Sequence, residues 1–187
     1  MTYEKDYFYH LYNRGCNKKL IFRNYQDYTN LMSRIKLSNF QMYLNIVAYC
    51  LMPNHYHFLA QQKTHKPLTS WFGYIFNGYV QEFNKNYQRT GTLFEGRIKS
   101  KLVSNDKHLL KSVVYIHLNP VIACLVENPE DWEFSNYNDW IGKTHSKLTG
   151  YSFLDDLQIS SSEYIRIVRE EQQNKIMQKN LKSFDFD

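Results

Sequence analysis

The sequence predicts an α+β fold: a ferredoxin-like antiparallel sheet with its helices packed on one face. This prediction depends on the order of two kinds of segment. Alternation of aromatic or apolar residues with polar ones indicates strands, and apolar residues spaced three and four apart indicate helices. The segments follow one another as strand, helix, strand, strand, helix, strand, helix. The first six match the split β-α-β-β-α-β arrangement, whose sheet is antiparallel.

Local signals mark where several elements begin and end. Asn24 is a candidate N-cap for the first helix, and a turn at residues 52–54 predicts a hairpin between the second and third strands. Pro120 discourages continuation of a later helix beyond Asn119. The predicted strands are residues 7–14, 42–51, 55–61 and 92–103, and the predicted helices are residues 25–37, 67–87, 106–119 and 160–182.

Length and composition suit one domain with an appendage. The chain has 187 residues, of which 43% are hydrophobic, enough to form a core. The periodic pattern weakens in the last third of the chain before a polar terminal helix. We therefore expect a main domain over residues 1–142 and a helical extension over residues 143–187.

Charge and cysteine content narrow the class of protein. The formal net charge of +5 permits a nucleic-acid partner without requiring one. The three cysteines are scattered and form no C-x-x-C pair, which argues against a zinc knuckle or a disulfide framework. The first residues lack an apolar signal core, and no apolar run is long enough to cross a bilayer. The expected location is the cytoplasm, with no membrane partner.

Two histidines on one predicted strand form the first candidate site. His55 and His57 are separated by one residue, so on a strand their side chains point to the same face. Two imidazoles on one face can bind a single divalent metal. A lone His-x-His pattern is common, however, and histidines in a hairpin also simply pack.

A tyrosine on the helix at residues 106–119 forms the second candidate site. At about 100° per residue, Tyr115 lies on the polar face of this helix, close to Lys111 and Asn119 and opposite the apolar set. Asn119 offers an oxygen to a metal, or it is the C-cap before Pro120. The combination of His-x-His with Tyr-x-x-x-Asn favours catalytic roles. His117 falls among the apolar residues and is interpreted as a core or capping histidine.

Cations are concentrated on the predicted fourth strand. Arg97, Lys99 and Lys101 occur at a period of two, so all three would share one strand face. Such a stripe is either an ordinary solvated surface or a surface that follows a phosphate backbone. Arg14 and Arg23 are candidates to extend it. Beside a metal and a tyrosine, the phosphate-binding interpretation is favoured.

These motifs resemble the HUH endonuclease superfamily, and specifically its single-tyrosine transposases of the REP-associated branch. The resemblance runs from the start of the chain to about Tyr137, and its most diagnostic part is the block that begins at Tyr115. Ile122 and Cys124 stand where this branch usually has Arg and Gly. The matching stretches are residues 10–15 (HLYNRG), 51–57 (LMPNHYH), 91–97 (GTLFEGR) and 115–121 (YIHLNPV).

The resemblance implies a transposase catalytic domain over residues 1–142. His55, His57 and Asn119 are then metal ligands for Mg²⁺ or Mn²⁺, and Tyr115 is the nucleophile. The implied substrate is single-stranded DNA, often beside a hairpin, cleaved through a 5′-phosphotyrosine that a free 3′-OH can reverse. The implied location is the bacterial cytoplasm, in association with the nucleoid. The DNA-binding residues expected from the two lines of reasoning are Arg14, Arg97, Lys99, Lys101 and Lys111.

Two other functions stay open from the residues alone. A non-catalytic nucleic-acid-binding module on the same sheet would make Tyr115 and the histidines packing residues, although the polar-face position of Tyr115 argues against this. A zinc hydrolase using His55 and His57 would need a third histidine and a general-base glutamate, and no convincing candidate for either is evident. The sequence leaves open a monomer and a homodimer whose active sites are completed across subunits.

Overall fold

A computed structural model of the chain describes residues 3–145, 148 and 153–184, with side chains up to residue 178. The elements follow the predicted order, with short additional helices after the third long one. The strands are β1 (Phe8–Arg14), β2 (Leu44–Met52), β3 (His55–Gln62) and β4 (Lys99–Val103), and the helices are α1 (Tyr25–Leu37), α2 (Leu68–Asn86), α3 (Asp106–Ile122), α4 (Tyr137–Trp140), α5 (Phe153–Asp156) and α6 (Ser161–Phe184).

The four strands form one antiparallel sheet in the order β2-β3-β1-β4. This confirms the predicted fold class. Met52 pairs with His55, so a two-residue loop joins β2 to β3, as the hairpin prediction required. Asn24 caps α1 by accepting a hydrogen bond from the amide of Asp27. The β2–β3 hairpin brings the His-x-His segment into the interior of the sheet, between β2 and β1.

Helices cover both faces of the sheet, so the expectation that they share one face was wrong in this detail. One hydrophobic cluster joins α1 and α2 to alternate strand residues such as Leu11, Tyr56 and Phe58. A second cluster joins α3 and α6 to the opposite set, including Cys50 and Leu59. The β2 strand is buried on both sides, because each of its faces has a helical partner. His55 and His57 therefore lie on the face beneath α3.

The fourth strand is shorter than predicted and begins at Lys99, so Arg97 lies outside it. The β1–β4 pairing sets Tyr12 opposite Lys99; continued in that register, it would set Arg14 opposite Arg97. Like charges directly opposite each other destabilise a sheet. Instead, the chain shifts by two residues, and Glu95 forms an ion pair with Arg14 at 2.8 Å. Of the three cations predicted to share one strand face, only Lys99 and Lys101 therefore lie on β4.

Helix α3, which carries Tyr115, begins at the predicted residue and ends later than predicted. Its N-cap is Asn105, whose side chain accepts from the amide of His108 at 2.9 Å, and Asp106 is the first helical residue. At the other end, α3 continues through Pro120 to Ile122. Proline keeps a helical φ and forfeits one hydrogen bond, and Pro120 is buried within the helix. Asn119 is therefore not the C-cap, which is Ala123.

A buried polar network fixes α3 to its surroundings. His117 is fully buried and hydrogen-bonds the Tyr164 hydroxyl of α6 and the Asn136 side-chain oxygen. Asn136 also accepts from the amide of Tyr49 and donates to the carbonyl of Val47, both on β2. These bonds satisfy His117 in the core, as predicted. No helix in the parts of the chain that the structure describes is long and apolar enough to span a membrane.

Candidate active site

Three histidines converge on the sheet face beneath α3. Strand pairing sets Tyr12 of β1 opposite His57 of β3, and the alternation of β1 brings His10 to the same face. The ring centroid of His57 lies 5.1 Å from that of His55 and 5.0 Å from that of His10. The two predicted ligands are therefore adjacent, and a third imidazole from another strand joins them.

Each predicted histidine ligand has one ring nitrogen engaged by a neighbour. Nδ1 of His57 lies 2.9 Å from Nε2 of His10, and Nδ1 of His55 lies 2.7 Å from the side-chain oxygen of Asn54. Such bonds fix the ring orientation and the tautomer of an imidazole. Both rings are thereby left with Nε2 as the nitrogen that can bind a metal.

Burial keeps these histidines neutral at physiological pH. Burial, reinforced by the neighbouring His10 and His55, lowers the pKa of His57 to about 2. Burial and the charge of Lys101 lower the pKa of His10 to about 4. Burial also lowers the pKa of His55, with Arg14 adding to this effect and a hydrogen bond to Asn119 opposing it. Neutral imidazole is the form that binds metals, so these histidines are in the protonation state that a metal ion requires.

Tyr115 lies directly over the histidines. The α3 helix crosses the sheet face so that the Tyr115 ring centroid is 5.5 Å from that of His57 and 6.1 Å from that of His10. Its side chain is 45% exposed, whereas the next residues on either side of it are buried. A tyrosine at the edge of a polar cluster, with its ring open to solvent, is accessible to a large substrate.

Asn119 connects Tyr115 to His55. It is 9% exposed, and its side-chain amide donates a 2.8 Å hydrogen bond to the Tyr115 carbonyl, one helical turn earlier. Its side chain also hydrogen-bonds His55. Because α3 extends to Ile122, Asn119 faces the site rather than ending the helix. The tyrosine and the three predicted ligands are thus brought together in one place.

The donor set fits a divalent metal ion. Two neutral imidazoles and an amide oxygen suit manganese or zinc better than magnesium, which prefers oxygen ligands. Among the described residues, no group of three His, Cys, Asp or Glu side chains is arranged to bind a metal. A site here therefore needs Asn119 as its third donor, because His10 has its Nε2 engaged by His57.

The predicted DNA-binding cations have different surroundings. Lys99 and Lys101 are cross-strand partners of Tyr12 and His10, so they border the site on the edge strand. Arg14 donates three side-chain hydrogen bonds to Glu95 and is less available to phosphate than expected. Arg97 and Lys111 are exposed, and Lys111 lines a groove of about 650 Å³ between α3 and α6 that also includes Tyr115.

His10 is the site residue that the sequence analysis missed. Its neighbour in space, His57, is 47 positions away in sequence, so no local pattern pairs the two. Strand alternation alone places His10 on one face of β1, but only the β1–β3 register shows which residues of β3 share that face. A predicted register that set Tyr12 opposite His57 would have placed His10 in the site.

Comparison with known proteins adds an independent line of support. No family model matches the chain. A Haemophilus influenzae protein assigned to the REP-associated tyrosine transposases is 29% identical over 124 residues, which covers 56% of this chain and 70% of the relative. A solved structure of a REP-associated tyrosine transposase bound to a REP hairpin aligns with a TM-score of 0.62 at 16% identity. That alignment covers 81% of this chain and 95% of the other.

The four-stranded antiparallel sheet and this alignment show that the chain has the fold of that solved transposase. In sequence the chain is similar to one REP-associated tyrosine transposase, and in fold it is similar to another.

Proposed function

We propose that this protein cleaves and rejoins single-stranded, hairpin-flanked DNA through a 5′-phosphotyrosine formed at Tyr115. The observation that supports this proposal best is the position of an exposed tyrosine 5.5 Å from His57, on a helix that also delivers Asn119 to His55. The solved structure with the same fold was bound to a REP hairpin. The proposed substrate for this chain is a hairpin of the same general kind.

The reaction needs one bond made and one broken. The Tyr115 phenol oxygen attacks the scissile phosphorus, and the 3′ oxygen leaves in line and takes up the proton lost by the phenol. The products are a 5′-phosphate ester on Tyr115 and a free 3′-OH. The ester keeps the energy of the phosphodiester, so a 3′-OH can attack it and join strands without ATP.

His55, His57 and Asn119 would hold the divalent ion, for which we propose Mn²⁺ or Mg²⁺. A bound ion supplies stabilisation of the negative charge that develops on the phosphate. This chain contributes in two ways: it keeps the two imidazoles neutral, and it orients their rings so that Nε2 can bind the ion. His10 serves the second purpose by engaging Nδ1 of His57. We call His10 a positioning residue, since it contacts a proposed ligand and not the proposed substrate.

One copy of the chain supplies every proposed active-site residue. Tyr115 lies over the histidines of its own sheet, so the site does not need a residue from a second copy. We therefore propose that a monomer suffices for cleavage, acting on DNA of the nucleoid. We also keep the division into a catalytic domain over residues 1–142 and an extension over residues 143–187. The burial of Tyr164 against His117 indicates that this extension supports α3.

The test is covalent capture of DNA. The protein is incubated with end-labelled hairpin DNA and Mn²⁺, denatured, and analysed for a protein–DNA adduct, which peptide mass spectrometry then maps to Tyr115. An adduct at Tyr115 supports the proposal. Specific binding of the hairpin with no adduct under any metal would favour a non-catalytic nucleic-acid-binding module instead.

A further inference from the structure

A small cationic cleft lies outside the active site, at the end of the sheet where β1 leads into the next turn. It has a volume of about 140 Å³ and is bordered by Lys19, Arg23 and Arg89, with Phe83 as its aromatic wall. The cleft is built from the segment after β1, the end of α2 and the loop that follows α2. None of these residues takes part in the proposed chemistry.

Two guanidinium groups converge on one aromatic ring in this cleft. The guanidinium carbon of Arg23 lies 5.5 Å from the Phe83 ring centroid and 4.4 Å from that of Tyr87. That of Arg89 lies 5.7 Å from the Phe83 centroid. Stacking on aromatic faces holds both cations in place, and the N–H donors that Arg89 does not already use on Asn84 and Thr92 can bind an acceptor.

Within the described residues, neither Arg23 nor Arg89 forms a salt bridge. The nearest acid in sequence, Asp27, accepts from the backbone amide of Arg23 and from the Tyr87 hydroxyl. Arg89 is oriented by neutral acceptors, the Asn84 side chain and the Thr92 carbonyl. Cations that are held in place without an ion-pair partner favour binding of an anion.

The cleft is connected to the catalytic histidines through the β2–β3 turn. The amides of Ile21 and Phe22 both donate to the carbonyl of Pro53, and the amide of Gly15 donates to that of Asn54. His55 follows this turn directly. Phe83 belongs to the α1–α2 side of the sheet and the histidines lie on the α3 side, so DNA that contacts both must pass around this turn.

We propose that the Arg23–Arg89 cleft binds a backbone phosphate of the DNA, outside the phosphate that Tyr115 attacks. This proposal builds on the proposed function and adds a second point of attachment. One planar guanidinium pair on a rigid aromatic support is suited to a phosphate, which accepts bidentate hydrogen bonds. A second contact of this kind would hold the strand in position while the 3′-OH is free, which strand transfer requires.

The experiment measures hairpin-DNA binding by fluorescence anisotropy across a series of salt concentrations. It uses the full chain with Arg23→Gln and Arg89→Gln combined, and Lys36→Gln as a matched control for the loss of an exposed cation from α1. The double variant is expected to bind roughly tenfold more weakly, and its log–log salt slope should fall by about 0.7, the value for one phosphate contact on a single strand. The control should keep the wild-type slope.

Two further measurements separate the possible explanations. Arg23→Lys with Arg89→Lys keeps both charges, so it should regain most of the slope, and circular dichroism melting should show that the variants remain folded. Adduct formation on a short oligonucleotide that spans only the cleavage site should be the same in wild type and double variant. A double variant with wild-type affinity and slope overturns the cleft proposal while leaving the function intact. A wild type that forms no adduct on any DNA defeats the proposed function itself.

Discussion

Nε2 of His10 lies 2.9 Å from Nδ1 of His57, across two neighbouring strands and 47 positions of sequence. His57 is 6% exposed and its ring has little freedom to turn. The contact determines which nitrogen of His57 faces α3, and with it the direction in which a metal can be bound. Removing it should therefore affect metal binding before it affects the fold.

His10→Phe should weaken Mn²⁺ binding by about tenfold to a hundredfold, the usual cost of losing a partner that orients a metal-bound imidazole. His10→Gln retains an acceptor and should lose much less. Electron paramagnetic resonance of free Mn²⁺ measures the affinity without DNA or turnover. Equal affinity in both variants and wild type would exclude His10 from positioning His57.

Tyr115→Phe should abolish the covalent adduct while DNA affinity stays within a few fold. The Tyr115 side chain is 45% exposed, so loss of its hydroxyl opens no cavity. Adduct formation is read on a denaturing gel and affinity by anisotropy. Tyr12→Phe, on the same face of the sheet, is a suitable control. An adduct that persists in Tyr115→Phe would assign the nucleophile to another tyrosine.

Asn119→Ala and His57→Ala should differ in their dependence on Mn²⁺. A neutral amide is a weak ligand that water can replace, whereas loss of an imidazole removes a strong one. Excess Mn²⁺ should therefore restore cleavage more fully in Asn119→Ala. The cleavage rate is measured against Mn²⁺ concentration for both variants and wild type. The same metal dependence in all three would remove these residues from the coordination shell.

Lys99→Ser with Lys101→Ser should lower the log–log salt slope of single-strand binding by about 1.4, because both cations border the site. Arg14→Ser should change the slope less, since Arg14 is already paired with Glu95. Titrations at several salt concentrations give the slopes. If the double lysine variant behaves like wild type, the DNA lies away from β4.

Stability of the metal-free protein should fall as the solution is acidified below pH 6.5. Burial lowers the pKa of His117 and His10 to about 4, so the unfolded chain binds protons in this range and the folded chain does not. The loss is about 3 kcal/mol for His117 alone by pH 4. Urea unfolding at a series of pH values measures it. His10→Gln should make the free energy of unfolding fall less steeply with pH, and His65→Gln, at an exposed position, should leave its slope unchanged. A free energy of unfolding in wild type that does not change over this pH range would contradict the role given to the buried histidines.

Local patterns were sufficient for most of the fold. The order of elements, the hairpin before His55 and the cap at Asn24 all depend on neighbours in sequence, and all were predicted. The placement of His117 in the core followed from helical periodicity in the same way.

The errors came from interactions between distant segments. The register that joins Arg14 to Glu95 displaced Arg97 from β4, and the β1–β3 register brought His10 to His57. The helices divided between two faces because both sides of β2 are apolar, which its nearly continuous apolar sequence could have indicated. In the first two cases the deciding partner lay in a distant segment of the chain, where periodicity gives no information.

The anchorage of α3 at His117 has a consequence for how this helix can change. Two faces of α3 have different roles. Tyr115 and Asn119 face the site, whereas His117 between them hydrogen-bonds α6 and Asn136. One residue inserted between them turns everything beyond it by about 100°. The spacing of these three positions must therefore be kept. Substitutions elsewhere in the helix leave this spacing unchanged, whereas a single insertion or deletion between the three positions does not.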